Sequence, residues 1–261
     1  MKKILILPAL ILSAGSFFLT SCGNADKNSA MKSPATTGTE VLNEPATSES
    51  GEKDDEEKDN DDKKTTTMQT GTMVTTDAKT KTVENLQAAF KGETTASAKY
   101  AAYSQKAEQD GFHEIALLFK AASVAENIHA NNHKSVLQES GVSVPVIKPA
   151  FTVKTTKENL EDAIKGETYE ATIMYPDFLK TANEADNQLA MISLNYAYKT
   201  EKKHKVLYEK ALTALENNTV KTLPSVFYVC PTCGNTYETA APARCGISMT
   251  SSEKFLKIIS L

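Results

Sequence analysis

An eleven-residue sequence that occurs twice limits the folds open to this chain. ENLQAAFKGET begins at residue 84 and returns as ENLEDAIKGET at residue 158. Around both copies, apolar residues recur at steps of three and four, the period of an amphipathic helix. The pattern predicts four long helices, over 82–109, 112–139, 157–184 and 187–216. Because the repeated unit is a pair of helices, the folded part is predicted to be a duplicated helical hairpin.

The connections between these helices indicate their arrangement. Gly111 separates the first two predicted helices, and glycine is common just after the end of a helix. The stretch GVSVPVIKPAFTVK, 141–154, contains two prolines and several β-branched residues, which suit an extended crossover better than a helix. Four helices with one long connection predict an all-α four-helix bundle of the ferritin-like kind.

Two predicted helices carry an acid and an imidazole in the middle of an apolar stripe. The stripe on the fourth helix comprises Leu194, Ala197, Glu201, His204, Tyr208, Ala211 and Leu215. The stripe on the second comprises Ile115, Phe119, Ala122, Glu126, His129 and Val136. Burying an ionised carboxylate among apolar residues costs several kcal/mol unless another charge compensates. A bound cation would supply that charge.

The other two helices add acids at matching heights, Glu93 on the first and Glu167 and Glu170 on the third. Two Glu-x-x-His steps, with a Glu from each remaining helix, form a carboxylate-bridged two-metal site. One such step alone is usually a surface pair. Here two of the four histidines occupy it in equivalent places of the repeat, which favours the metal site. His113 and His133 lack this context and are predicted to be ordinary surface histidines.

The last part of the chain differs from the helices and contains three of the four cysteines. Cys230 and Cys233 form a C-x-x-C pair in YVCPTCGNTY. Cys245 begins a second pair, but Ser248 stands where its second cysteine is expected. Three interpretations stay open for this segment. It binds iron through three thiolates and the Ser248 oxygen or water, it binds structural zinc, or it binds no metal and Cys230 and Cys233 form a disulfide.

In combination these features resemble the rubrerythrin family over about 82–261. The resemblance rests on KGETTASAKY, AENIH, KGETYEATIMYPDF, TEKKH and YVCPTCG. It implies a ferritin-like two-iron domain followed by a small rubredoxin-like domain that holds one iron. The implied ligands of the two irons are Glu93, Glu126, His129, Glu167, Glu170, Glu201 and His204. The implied ligands of the rubredoxin-like site are Cys230, Cys233 and Cys245, with Ser248 in the fourth position.

Other residue roles follow from the same resemblance. Glu170 and His129 would exchange on one iron as its redox state changes, and Glu170 could also shuttle protons. Tyr100 and Tyr175 would hydrogen-bond to ligand carboxylates, and Pro176 would kink the third helix. Packing alone is the alternative reading of the two tyrosines.

The implied activity is that of an oxidoreductase, a peroxidase that reduces hydrogen peroxide to water in defence against oxidative stress. Its electrons would come from an NADH-linked or other donor and pass through the rubredoxin-like site. The resemblance also implies a homodimer, in which the tail domain of one chain lies near the helices of the other. Two alternatives are iron binding with ferroxidase-type storage and no peroxidase turnover, and a purely structural lipoprotein.

The beginning of the chain predicts export and attachment to a membrane. Lys2 and Lys3 precede a short apolar run to Leu19, as in a signal peptide. LTSC, ending at Cys22, is similar to a bacterial lipobox, which implies cleavage after residue 21 and lipidation of Cys22. An ordinary secretory signal is the alternative. The lipid would be the only membrane attachment of a cell-envelope protein, periplasmic or bound to the outer membrane.

Composition completes the predicted domain organisation. Residues 22–80 are rich in Thr, Lys, Asp and Glu, which predicts a disordered tether. The ferritin-like domain is predicted at 81–217, a linker at 218–226 and the rubredoxin-like domain at 227–261. The net charge of −4 shows no nucleic-acid signature, so no nucleic-acid partner is expected.

Overall fold

The computed structural model describes the backbone of residues 67–261 and side chains from residue 76 onward. The helices are α1 (Thr67–Gln109), α2 (His113–Glu139), α3 (Thr156–Tyr169), α4 (Tyr175–Glu184) and α5 (Gln188–Glu216). A π-helical segment, Glu170–Met174, joins α3 to α4. The predicted signal peptide and Cys22 lie outside the described residues. Within the described part, no helix has the length and apolar character needed to cross a membrane.

Helix α1 starts earlier than its sequence predicted. The disordered tether was expected to reach residue 80, but the structure continues the helix through 67–80, so this end of the prediction was wrong. Ala78 in this added part of the helix and Thr82 just after it are both buried. The Thr82 hydroxyl donates to the Ala78 carbonyl oxygen, one turn earlier. The tether was predicted from polar composition, and composition carries no information on whether a single small residue is buried.

Local signals explain where the next helices begin. Gly111 adopts a φ of +85° between α1 and α2, and the N–H of Phe112 donates to the carbonyl of Ala107. This left-handed residue is a common helix ending. Residues 140–155 form neither helix nor strand outside the turn at their start, as predicted for the crossover. Thr155 and Glu158 form a reciprocal capping box that starts α3.

The π-helical segment absorbs one extra residue in the second repeat. Tyr100 lies seven residues after Glu93, whereas Tyr175 lies eight residues after Glu167. A π turn contains one more residue than an α turn, so Tyr175 returns to the position equivalent to Tyr100. One helix over 157–184 with a kink at Pro176 was predicted. The structure instead places the irregularity immediately before Pro176, over Glu170–Met174.

The buried apolar residues form two clusters, and the acidic residues lie between them along the helices. On α5, Leu194 belongs to one cluster and Tyr208 to the other. Glu201 and His204 lie between these two positions and are fully buried. Six of the seven residues of the predicted α5 stripe are buried, and Leu215 is partly buried.

The C-terminal residues form a three-stranded antiparallel sheet in the order β2-β1-β3. Its strands are β1 (Phe227–Val229), β2 (Thr236–Glu238) and β3 (Leu256–Ile258). Phe227 and Val229 are buried in the same cluster as Phe119 and Tyr208. The sheet and its cysteine loops therefore pack on the helices of their own chain.

Candidate metal centre

Four helices bring six predicted ligands into one buried layer. Each of the six side chains is at most 1% exposed. They are Glu93 on α1, Glu126 and His129 on α2, Glu167 on α3, and Glu201 and His204 on α5. Helical spacing explains the pairs, since residues three apart share one face of a helix.

Glu126 and Glu201 each face both histidines. One oxygen of Glu126 lies 2.9 Å from Nδ1 of His129, and its other oxygen lies 3.1 Å from Nδ1 of His204. Glu201 does the same, at 2.9 Å and 3.0 Å. Two carboxylates that each present one oxygen to each imidazole have the arrangement of ligands that bridge two cations.

Glu93 and Glu167 complete one group each. Glu93 Oε2 lies 3.7 Å from Nδ1 of His129, and Glu167 Oε1 lies 4.0 Å from Nδ1 of His204. Within each group, the ligand atoms lie within 4.8 Å of one another. The groups are Glu93, Glu126, His129 and Glu201, and then Glu126, Glu167, Glu201 and His204. They share two carboxylates, so two neighbouring cations could be held.

Unpartnered oxygens test whether cations fit this layer. Glu93 Oε2 and Glu167 Oε2 are buried without a hydrogen-bond partner, whereas Glu126 Oε1 and Glu201 Oε1 lie 3.1 Å and 2.9 Å from an imidazole Nδ1 without hydrogen-bond geometry. A buried charged oxygen without a partner is costly, and native proteins rarely keep one. Carboxylates and imidazoles together are ligands that iron accepts. The residues present therefore fit a pair of metal ions.

The outer nitrogens of both histidines are held by the C-terminal sheet region. His129 Nε2 lies 3.1 Å from the carbonyl oxygen of Cys233, which can only accept, so Nε2 carries the hydrogen. His204 Nε2 lies 2.9 Å from Thr236 Oγ1, and the Thr236 hydroxyl donates to the Gly234 carbonyl. With Nε2 as the donor, a neutral ring keeps Nδ1 as a lone pair toward the carboxylates. Such outer hydrogen bonds orient metal-binding histidines.

Burial and mutual proximity make the layer retain protons. Burial, followed by Glu126 and Glu201, raises the pKa of Glu93 to about 8. Burial also raises the pKa of Glu167 well above its ordinary value. For His204 burial acts in the opposite direction, but Glu126 and Glu201 outweigh it and raise the pKa to about 9. A cation that binds here must displace protons.

Tyr100 and Tyr175 bond across the two repeats. The Tyr100 hydroxyl donates to Glu167 Oε1 at 2.7 Å. The Tyr175 hydroxyl donates to Glu93 Oε1 in a short hydrogen bond. The Oε2 atoms of both carboxylates have no hydrogen-bond partner, and in Glu167 the tyrosine-bonded Oε1 is also the oxygen that lies 4.0 Å from His204 Nδ1. The predicted hydrogen bonds from these tyrosines to ligand carboxylates are therefore present.

Glu170 is the one predicted ligand of the helical layer that lies outside both groups. It begins the π-helical segment and is partly exposed, unlike the other six. Burial, followed by Glu93 and Glu201, raises the pKa of its carboxyl well above the ordinary value. Its position suits a carboxyl group that holds a proton beside the layer.

The structure corrects the prediction for His133. His113 is partly exposed and its Nδ1 lies 2.8 Å from Glu108 Oε2, as expected of a surface histidine. His133 is fully buried, with Nδ1 2.8 Å from Ser193 Oγ and Nε2 3.2 Å from the Tyr175 hydroxyl oxygen. The sequence carried a signal for this, since His133 falls on the α2 stripe between His129 and Val136. The predicted α2 stripe nevertheless omits His133.

Cys230, Cys233 and Cys245 lie together as free thiols, with their sulfurs within 4.8 Å of one another. The predicted disulfide alternative is not the arrangement seen. The Ser248 hydroxyl lies 3.2 Å from the Cys230 sulfur, and Cys233 and Cys245 sulfurs are 3.4 Å apart. Hydrogen bonds from Cys233 and Ser248, against the effect of burial, lower the pKa of Cys230 to about 4. The three sulfurs fit a rubredoxin-like metal site, and Ser248 lies beside them.

Comparison with known proteins agrees with this geometry. The chain matches the family model described as Rubrerythrin over residues 84–212. It is 34% identical over 175 residues to Rubrerythrin-2 of Clostridium acetobutylicum, across 67% of this chain and 95% of that protein. It is 32% identical over 187 residues to nigerythrin of Nitratidesulfovibrio vulgaris, across 70% and 90%.

Solved structures show the same relationship. Nigerythrin in its fully reduced, all-ferrous state aligns with a TM-score of 0.61 at 31% identity, over 67% of this chain and 86% of that chain. Mycobacterium tuberculosis bacterioferritin, BfrA, aligns with a TM-score of 0.51 at 18% identity, over 55% of this chain and 94% of that chain. The second likeness shows a shared ferritin-like fold and no more.

Proposed function

Since the chain belongs to the rubrerythrin family, we propose that it is a two-iron peroxidase that reduces hydrogen peroxide to water. One observation carries the proposal. Glu126 and Glu201 are shared between two buried ligand groups, and each presents one oxygen to each imidazole. The proposed roles require α1, α2, the continuous α3–α4 helix and α5 to act as a four-helix bundle with the crossover at 140–155.

The proposed ligands are the seven carboxylates and imidazoles of the helical layer. When bound, two ferrous ions supply the two electrons that, with two protons, convert one hydrogen peroxide into two water molecules. Glu126 and Glu201, which belong to both groups, would hold both ions, and His129 and His204 would each hold one, with the hydrogen bonds at Nε2 keeping both rings in place. Glu93 would offer Oε2, which has no hydrogen-bond partner, and Glu167 would offer its carboxylate while Oε1 accepts from Tyr100.

Glu170 is proposed as the proton donor. Burial, followed by Glu93 and Glu201, raises the pKa of its carboxyl and so favours the protonated form, and its position at the start of the π-helical segment puts the carboxyl at the edge of the layer. Its proposed second role is as an exchangeable ligand, opposite His129. Single π turns inside helices are frequent at functional sites, which agrees with this role.

The cysteine site is proposed to relay electrons from an NADH-linked or other donor. Ser248 is proposed as the fourth ligand of an iron ion, with zinc as the alternative metal. The path from this site to the helical layer is short, since Cys233 offers its sulfur to one site and accepts a hydrogen bond from His129 of the other. A homodimer is also proposed. In this chain, contact between the cysteine site and the helical layer is already made by one copy.

Export and lipid attachment at Cys22 are proposed from the signal-like residues 1–21 and the LTSC sequence. The folded part would then work in the cell envelope, at a distance from the membrane that depends on the Thr- and acid-rich tether predicted at 22–80. Labelling of cells with a radioactive fatty acid, followed by capture of the chain, tests this. A Cys22→Ala variant that stays labelled would contradict it.

Metal analysis and turnover test the proposed function. The full chain is loaded with ferrous iron without oxygen, and iron per chain is counted before peroxide or oxygen is added. We expect two ferrous ions in the helical layer, one peroxide reduced per loaded site when no reductant is added, and repeated turnover with peroxide when an excess of a chemical reductant is present. Glu126→Ala should lose the iron and the turnover, whereas the exposed Glu161→Gln should keep both. Turnover with oxygen, accumulated ferric iron and none with peroxide would favour the ferroxidase alternative.

A further inference from the structure

His133 is a buried histidine that the proposed chemistry does not use. It lies on α2, one turn after His129, and no part of its ring is exposed. Its two nitrogens have different partners: Ser193 Oγ at Nδ1 and the Tyr175 hydroxyl oxygen at Nε2. Burial, followed by the neighbouring His129, lowers the pKa of His133 to about 3. The ring is therefore neutral at physiological pH and carries one hydrogen.

The partners determine which nitrogen carries that hydrogen. A carboxylate that binds a cation is ionised and can only accept, so Tyr175 must use its one hydrogen to donate to Glu93. The Tyr175 oxygen can then only accept from His133, which places the ring hydrogen on Nε2. Nδ1 is left as an acceptor for the Ser193 hydroxyl. The four side chains form one chain of hydrogen bonds, with every donor directed toward Glu93.

We propose that His133 is a positioning residue that holds Tyr175 as a donor to Glu93 and thereby leaves Glu93 Oε2 as the oxygen for the metal. The effect on metal binding by Glu93 rests on the proposed function, since it requires the two-metal site. With the Tyr175 oxygen accepting from His133, its own hydrogen has one acceptor within reach, Glu93 Oε1. Glu93 then binds a cation through a single oxygen.

The other repeat supplies a natural comparison. Tyr208 lies one turn after His204, as His133 lies one turn after His129. Its ring packs 5.5 Å from Tyr100, but its buried hydroxyl has no hydrogen-bond partner. Tyr100 therefore donates to Glu167 without a third group that fixes it. A third side chain therefore holds only Tyr175, the tyrosine in the half of the layer that contains Glu93 and His129.

Nuclear magnetic resonance of the histidine rings tests the hydrogen placement. The full chain, labelled with ¹⁵N-histidine and loaded with zinc as a diamagnetic probe, is measured at neutral pH after zinc per chain is counted. We expect His133 to be neutral with its hydrogen on Nε2. A hydrogen on Nδ1, or a doubly protonated ring, with zinc bound would overturn the inference and leave the proposed function standing. Absence of zinc from the helical layer would overturn both.

Substitutions test the consequence for the metal. His133→Leu removes the donor, and we expect zinc affinity of the helical layer to fall about 10-fold or more, as loss of outer hydrogen-bond partners does. His133→Gln keeps an amide donor toward Tyr175 and should restore most of that affinity. Tyr208→Phe is the matched control and should leave affinity unchanged. Unchanged affinity in a folded His133→Leu would overturn the inference, and if that variant fails to fold, a hydrogen on Nδ1 of His133 in the resonance measurement overturns it instead.

Discussion

Nε2 of His129 lies 3.1 Å from the carbonyl oxygen of Cys233, so one hydrogen bond joins the helical layer to the cysteine site. The same carbonyl accepts from the Thr200 hydroxyl at 3.3 Å. Asn132, one helical turn beyond His129, donates to the Thr232 carbonyl. These hydrogen bonds fix the loop that carries Cys233 to α2 and α5, at the place where the cysteine site meets the helical layer.

Gly234 makes this contact possible, and Gly234→Ala is predicted to break it. A Cβ at this position would lie 2.3 Å from His129 Nε2, and the backbone φ of +75° disfavours any side chain. We expect a loss of unfolding free energy of about 1–3 kcal/mol. Reduction of the helical iron through the cysteine site should also slow, measured by rapid mixing with a reduced donor. Gly246→Ala is the control, since its Cβ would meet only the Tyr237 hydroxyl, at 3.9 Å.

Equal rates of reduction in the two glycine variants, with both sites loaded with metal, would count against an electron path through this contact. A slow rate that is confined to Gly234→Ala would support it.

Metal affinity of the helical layer is predicted to rise with pH. Glu93, with a pKa of about 8, and His204, with a pKa of about 9, both hold protons at neutral pH that a cation must displace. For each proton displaced, affinity rises about tenfold per pH unit below the pKa of the group. Zinc titrations against a chelator between pH 6 and pH 9 measure the slope. Glu93→Gln should make it shallower and Glu161→Gln should not, and a slope of zero would contradict the prediction.

The same raised pKa values fix the pH dependence of the metal-free chain. Both groups have folded pKa values above their unfolded ones, so their stabilising effect is complete below the unfolded values and is lost as pH rises. Between pH 7 and pH 9 the native state releases protons that the unfolded state has already lost. We expect the thermal unfolding temperature in the presence of a chelator to fall over this range, and excess zinc to reverse the trend.

The cysteine site yields a prediction about Ser248. Its hydroxyl lies 3.2 Å from the Cys230 sulfur and 2.9 Å from the Thr250 hydroxyl. Ser248→Cys should complete four thiolates and retain iron most strongly against a chelator, and Ser248→Ala should retain it least. Thiolate-to-iron absorption and iron per chain measure the order, with Ser252→Ala as a control outside the site. Equal retention by wild type and Ser248→Ala would exclude the serine oxygen as a ligand.

The repeat and the stripes predicted most of the helical layer because both are local in sequence. A helix of fixed period places Glu126 with His129, and Glu201 with His204, whatever the rest of the chain does. Packing of the apolar stripes then brings these pairs together. This is why all six ligand positions of the two groups could be named before the structure was known.

Features that depend on a single residue or on distant segments could not be predicted in this way. The π-helical segment shows in the sequence only as one extra residue between Glu167 and Tyr175. The partners of His133 come from α4 and α5, so its burial depends on tertiary packing. Contact between Cys233 and His129 joins residues more than one hundred positions apart, and no periodic pattern reports it.

Glu170 provides the last prediction, that its proton limits peroxide turnover. Glu170→Gln keeps the size of the side chain and removes the acidic group whose pKa is raised by burial. We expect turnover with peroxide to fall about 100-fold, within the usual range for loss of a general acid. Iron in the helical layer should stay near two ions, because the six ligands in the two buried groups are untouched. Glu161→Gln on the exposed face of α3 is the control, and full turnover by Glu170→Gln or Glu170→Ala would remove Glu170 from the proton path.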